Sequence, residues 1–143
     1  MKIRVLLVDD EKEFIDVLAE RLESRDFEVS KAYDGDQALA VIKEKPVDVV
    51  LLDVQMPGKD GVDTLRELKL LVPLVEIIML TGHATVESAV EGMKIGAFDY
   101  LLKPTEMKDL VEKIVKAYKR KAEHEERIRQ AEIERIMQTR SWG

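Results

Sequence analysis

Val47–Gly58 reads VDVVLLDVQMPG: a short run of branched and aliphatic side chains, then Asp53, then a turn signal at Met56-Pro57-Gly58. A brief apolar run announced by a proline and closed by turn residues is the pattern of a strand buried on both faces. Working outward, the same design recurs. IRVLLV at 3–8 ends on Asp9-Asp10, Val75–Leu80 ends on Thr81, and Ala97–Leu102 ends on Lys103. Phe27–Ala32 is more polar, which predicts an edge strand. The stretches between carry helical spacing instead. Phe14, Val17, Leu18 and Leu22 mark a first helix ending near Arg25-Asp26. Asp34-Gly35 opens a second, with Ala38, Leu39, Val41 and Ile42 inward. Leu65 and Leu68 mark a third. Ala84–Ile95 makes a fourth, stopped by Gly96 at the position after the C-cap, and Pro104 sits where a fifth can begin.

Five strand–helix alternations with short connections define an α/β domain with a parallel sheet and helices on both faces. Right-handed crossovers leave few topologies. The flavodoxin-like order 2-1-3-4-5 puts the two most apolar strands side by side in the middle and the polar second strand at an edge. The last helix runs on past the needs of such a domain. Leu110, Val111, Ile114 and Val115 give it a buried stripe, and helix formers continue to about Thr139. Residues 106–139 would span roughly 50 Å at about 1.5 Å per residue. Two pairs at i, i+4, Glu123/Arg127 and Glu125/Arg129, would each add about 0.3–0.5 kcal/mol. Ile128, Ile133, Ile136 and Met137 do not share one face, so no heptad seam is predicted. The expected division is a domain over 1–120 and a charged helical extension or linker over 121–143.

At 143 residues, 45% hydrophobic and 36% charged, the chain has enough apolar content for one core inside a charged surface. The absence of cysteine excludes disulfides, thiolate metal sites and a cysteine nucleophile. No secretory signal and no membrane span are read, and a reducing cytoplasm is the expected location. Net charge is −6. Seven of the 23 basic and five of the 29 acidic residues lie from Lys119 onward, so the body is acidic and the tail mildly basic. An acidic body disfavours direct nucleic-acid binding.

In a parallel open sheet the carboxyl ends of the strands share one edge, and ligands bind where the strand order reverses. In this order that point lies between strands one and three, which brings Asp9, Asp10 and Asp53 together. Three neighbouring carboxylates cannot all stay ionised without a counter-charge. A hard divalent cation such as Mg2+ is the economical answer, since it prefers oxygen ligands and bridges carboxylates to phosphate. A carboxylate can also attack phosphorus and form an acyl phosphate. The cation and the ammonium of Lys103 would neutralise the transferring group, and the Thr81 hydroxyl would bond a phosphoryl oxygen and move with it.

Joined together, VLLVDDE at 5–11, LLDVQMPGKDG at 51–61, MLTGHA at 79–84 and GAFDYLLKP at 96–104 resemble a bacterial response-regulator receiver over about residues 2–120. The resemblance implies that Asp53 is phosphorylated, and that Asp9, Asp10, Asp53 and the backbone carbonyl of Gln55 hold Mg2+. It implies that Lys103 pairs with the phosphoryl group, with a cis bond to Pro104, and that Thr81 and Tyr100 form the switch pair. Gln55 and His83 match positions that tune hydrolysis of the phosphoryl group. The donor is expected to be a sensor histidine kinase or a phosphotransfer protein. The segment at 81–104 most resembles receivers of activators that work with an alternative sigma factor, or of hybrid kinases. Self-association through the fourth helix, fifth strand and fifth helix, with the extended last helix, is a further expectation.

Each residue also has a plainer role open to it. Asp9 or Asp10 alone would serve as a helix cap, Asp53 as a turn residue, Lys103 as a solvated strand end, and Tyr100 as a half-buried core aromatic. His83 alone reads best as a solvated loop histidine and His124 as exposed, while Trp142 near the terminus is undecided. Two rival functions are weaker. A phosphatase with an aspartate nucleophile would carry D-x-D, whereas Val54-Gln55 follows Asp53. A flavodoxin would not place the charged DDEKE of residues 9–13 beside a flavin phosphate.

Overall fold

A computed structural model describes residues 2–55, 61–82 and 86–140. Within them the chain forms β1 (Arg4–Val8), α1 (Lys12–Glu23), β2 (Glu28–Ala32), α2 (Gly35–Glu44), β3 (Val49–Leu52), α3 (Gly61–Leu71), β4 (Glu76–Thr81), α4 (Val86–Ile95), β5 (Asp99–Leu102) and α5 (Met107–Arg140). The five strands pair in parallel in the order β2-β1-β3-β4-β5. The fold class, the strand order and the edge position of β2 agree with the sequence reading. The predicted turn at Met56-Pro57-Gly58 and the start of the fourth helix at Ala84 lie outside the described residues.

Strand alternation splits the core into two layers. Leu6, Val8, Val50, Leu52, Ile77 and Met79 face α2, α3 and α4, while Val5, Leu7, Val49, Leu51, Ile78 and Leu80 face α1 and α5. Because β1, β3 and β4 are covered on both sides, their sequences are continuous rather than alternating. Each fully buried aliphatic side chain contributes about 1.5–3 kcal/mol relative to exposure.

Local signals set the helix ends. Asp34 caps α2 by accepting the Gln37 amide at 2.8 Å. Gly96, at φ +123°, ends α4 in the left-handed region, and the amides of Gly96 and Ala97 both return to the Gly92 carbonyl.

Three details depart from the sequence reading. Val17 points to solvent, and the inner stripe of α1 is Ile15, Leu18, Ala19 and Leu22, with Phe14 half-buried. Leu18 and Leu22 are buried as expected, and only Val17 leaves the predicted stripe, its place taken by Ile15 and Ala19. β3 begins at Val49 instead of Val47, because Asp48 turns its side chain to the Arg4 amide and guanidinium at the foot of the sheet. Along α5 the expected Glu125/Arg129 pair gives way to Lys121–Glu125 and Glu126–Arg129, because Glu125 is drawn to the buried Lys121.

Candidate functional site

The site is assembled by the ends of four strands. After β1, the Asp9 amide bonds the Ala32 carbonyl; after β3, the Asp53 amide bonds the Val8 carbonyl at 2.9 Å. After β5, the Lys103 amide bonds the Thr81 carbonyl at 2.9 Å, and the Lys103–Pro104 peptide is cis. Asp9, Asp53 and Thr81 are buried, while Asp10 is exposed. One carboxylate oxygen from each of Asp9, Asp10 and Asp53 lies within 4.8 Å of the other two, and this is the group of metal-ligating side chains found among the described residues.

Asp9 and Asp53 divide their oxygens alike. Oδ1 of Asp9 accepts the Glu11 amide at 2.9 Å, and Oδ1 of Asp53 accepts the Gln55 amide at 3.0 Å. Asp9 does not cap α1, whose N-cap is Glu11 without a side-chain bond; both contacts are local turn bonds, as the plainer reading of Asp53 expects. They also pin the carboxylates and aim the second oxygen of each at Lys103. The Lys103 ammonium bonds Asp9 Oδ2 and stands 3.7 Å from Asp53 Oδ2 and 3.5 Å from Glu11 Oε1. The ammonium also lies over the Phe14 ring, with Nζ 4.1 Å from the centroid. Turn and pocket are the same structure.

The electrostatics follow from burial. Desolvation is the largest influence on Asp53 and lifts its pKa above the ordinary carboxylate value. The Gln55 amide pulls it down, Asp9 pushes it further up, and Lys103 and a hydrogen bond from Thr81 oppose that push. Burial alone would lower the pKa of Lys103, but the bond to Asp9 and the charges of Asp9, Asp53 and Glu11 outweigh it and raise the value. Lys103 therefore remains an ammonium. An all-oxygen set with two buried members and one open to water suits a hard divalent ion that keeps part of its hydration. Burial, with the Asp9 charge added to it, raises Asp53, and a bound cation would offset both.

The sequence-predicted residues Asp9, Asp10, Asp53, Thr81 and Lys103 are thus brought together. Gln55 is exposed beside them, and its amide is committed to Asp53. Tyr100 stands apart: it is 42% exposed and lines a surface hollow with Ala89, Val90, Met93 and Lys94. The half-buried core reading of Tyr100 is thereby overturned, because the ring lies over α4 on the outer side of the edge strand. His83 and Trp142 lie outside the described residues, and His124 is half-buried, not exposed as expected. Glu11 and Phe14 were missed as members of the pocket. Their signal was the third acid of the 9–11 run and an aromatic one helical turn beyond it.

A doubly covered parallel sheet with an acid cluster and a fixed ammonium at its carboxyl edge makes a site suited to a hard divalent cation. Comparison with known proteins resolves the class: a model of the response regulator receiver domain matches residues 5–115, and the chain belongs to that family. It is 43% identical over 116 residues to the transcriptional regulatory protein ZraR of Salmonella typhimurium, covering 81% of this chain and 26% of that protein. It is 44% identical over 111 residues to the transcriptional regulatory protein CpxR of Klebsiella pneumoniae, covering 78% of this chain and 47% of that protein. Among solved structures, a CheY-like receiver domain protein from Methanospirillum hungatei superposes with TM-score 0.83 at 31% identity, covering 87% of this chain and 99% of that one. The chain spans about a quarter to a half of the length of these curated relatives. No helix among the described residues is long and apolar enough to cross a membrane.

Proposed function

We propose that Asp53 accepts a phosphoryl group from the phosphohistidine of a sensor histidine kinase or phosphotransfer protein. A carboxylate oxygen of Asp53 attacks phosphorus, the P–N bond breaks, and the imidazole leaves as the acyl phosphate forms. Asp9, Asp10, Asp53 and the Gln55 carbonyl would hold Mg2+, which supplies charge neutralisation for the phosphoryl oxygens. Lys103 supplies the second positive charge from a fixed position. Thr81 follows the new phosphoryl oxygens, and Tyr100, exposed on the α4 side, is the residue free to turn in behind it.

The observation that carries this reading is the triangle of Asp9, Asp10 and Asp53 oxygens within 4.8 Å, with the Lys103 ammonium against Asp9 and 3.7 Å from Asp53. The chain's own catalysis is confined to its phosphorylation and dephosphorylation, the latter tuned by Gln55 and His83. Residues 1–120 form the receiver and 121–143 the extension. The output is control of a partner or of self-association through α4, β5 and α5, where Val90, Met93, Tyr100 and Leu102 are exposed.

Incubation with acetyl phosphate and Mg2+ tests the core claim by intact mass. One phosphoryl group is expected on the parent chain and none on Asp53→Asn or after chelation. Equal uptake by Asp53→Asn would refute the assignment, as would brisk turnover of simple phosphomonoesters.

A further inference from the structure

The other end of the sheet holds a second set of buried charges that the phosphoacceptor chemistry does not use. Asp48, at the foot of β3, accepts the Arg4 amide at 2.9 Å and two guanidinium bonds at 3.1 and 3.0 Å, and its Oδ1 also takes the Lys121 ammonium at 3.1 Å. Glu76, at the foot of β4, bonds Arg120 through two nitrogens, one at 2.9 Å, with Lys69 at 3.6 Å. Both carboxylate side chains are 3% exposed or less. Each therefore has one cation from the domain body, Arg4 or Lys69, and one from α5, Arg120 or Lys121. Arg120 also stacks its guanidinium on Phe98, 4.6 Å from the ring centroid.

Lys121 is the last buried residue of α5, and Glu125 one turn on is bonded to it. Lys121 is buried in a stretch that composition alone marks as a solvated tail. From Ala122 to Arg140, roughly 28 Å at 1.5 Å per residue, every position but His124 is exposed. Helix nucleation is costly, so the docked segment that supplies the nucleus favours the order of this projecting half.

We propose that these two acid–base clamps at the foot of β3 and β4 fix the direction in which α5 leaves the domain, so that its projecting half is a stiff lever moving with the sheet. The same two strands carry Asp53 and Thr81 at their other ends. Asp48 and Asp53 are five residues apart, about 16 Å along β3. The lever is thus rooted in the strands that present the candidate phosphoacceptor and its threonine. The two-nitrogen Arg120–Glu76 pair and the Lys121–Asp48 bond each end on a buried carboxylate, which holds direction better than pairs exposed on both sides. This inference stands whether or not Asp53 is the phosphoacceptor.

The arrangement permits a clean test. Replacing Arg120 and Lys121 by methionine leaves Asp48 paired with Arg4 and Glu76 with Lys69, so neither carboxylate is stranded. The chain has no cysteine, so Glu23→Cys and Met137→Cys accept spin labels at two defined, exposed sites. Electron–electron distance measurements on the full chain should give one narrow distribution in the parent. In Arg120→Met/Lys121→Met the distribution should be about twofold broader or more, reflecting local loosening. Amide exchange should rise at 120–128 while 110–118 stay protected. A broad distribution in the parent, or an unchanged one in the double variant, overturns the proposal. Loss of protection throughout α5 overturns it too, since the clamps would then dock the whole helix and not set its exit.

Discussion

The two aspartates that bracket β3 carry the same group and opposite physics. Asp53 is lifted by burial beyond what Gln55, Lys103 and Thr81 recover, with Asp9 adding to the rise. Asp48 is also pushed up by burial, but the Arg4 and Lys121 bonds more than reverse this and hold it below the ordinary value. The folded state therefore retains the Asp53 proton to higher pH than the unfolded chain does, so in metal-free buffer this group makes stability fall as pH rises through and above the ordinary carboxylate range. For Asp48 the sign is reversed: its contribution is present above the unfolded value and is lost as pH falls through the depressed folded one. Denaturant unfolding of Asp53→Asn in chelator should consequently show a free energy above the parent's by an amount that grows as pH rises through the ordinary carboxylate range. Asp48→Asn should be less stable than the parent near neutrality, by roughly 3–5 kcal/mol if loss of a buried pair sets the scale, and the deficit should shrink on acidification. An Asp53→Asn curve parallel to the parent's over that range would mean the pocket is not charge-frustrated.

At the scale of elements, the approach of α3 to β3 is as important as any acid. A Cβ at Gly61 would lie 2.2 Å from the Val54 Cα and 2.6 Å from the Asp53 carbonyl oxygen, so only glycine lets the helix start against the strand end that carries Asp53. Gly61→Ala should push that strand end aside while leaving the two core layers intact. Since displacements of about 1 Å can cost on the order of a hundredfold in rate, phosphoryl uptake from acetyl phosphate should fall by about that factor, with far-ultraviolet circular dichroism nearly unchanged. Uptake within twofold of the parent's would dismiss the close approach as unimportant, that margin being well below the roughly hundredfold scale. The elements differ in how far the sequence announced them. β1, β3 and β4 were legible because burial on both faces demands uninterrupted apolar runs, and α2 because Asp34 sits at its start. The full inner stripe of α1 was not: Phe14, Ile15, Val17 and Leu18 are all apolar, and only packing selects Ile15 over Val17. Asp9, Asp10, Asp53, Thr81 and Lys103 could be placed together because each ends a strand of one parallel sheet. The clamps were not legible, because Arg4, Asp48, Lys69, Glu76, Arg120 and Lys121 are six scattered charges that only the folded register brings into contact.

For the whole molecule, function is split between the two ends of the sheet and one face. The carboxyl edge concentrates negative charge and is suited to hold a cation and receive phosphate. The amino edge binds α5. Between them, Val90, Met93, Tyr100 and Leu102 leave a large apolar surface on α4 and β5, each side chain at least 42% exposed. Clustered exposure of this kind marks interaction surfaces, whereas single exposed apolar residues do not. In the proposed switch, a change at Asp53 would reach that face through Thr81, at the end of β4, whose neighbour in the ladder is Leu102 on β5. The proposed self-association should therefore respond to the state of Asp53, and sedimentation velocity with and without a beryllofluoride phosphate mimic should show a larger species only with the mimic and Mg2+. Met93→Asp places a charge in the middle of the face, far from the acid pocket. It should leave phosphoryl uptake unchanged while weakening the association on the order of tenfold or more, the scale of a lost central contact. A monomer under both conditions in the parent would refute the self-association. Association undiminished in Met93→Asp would move the contact elsewhere, with the exposed Ile128, Ile133, Ile136 and Met137 of the projecting helix as the next surface to alter.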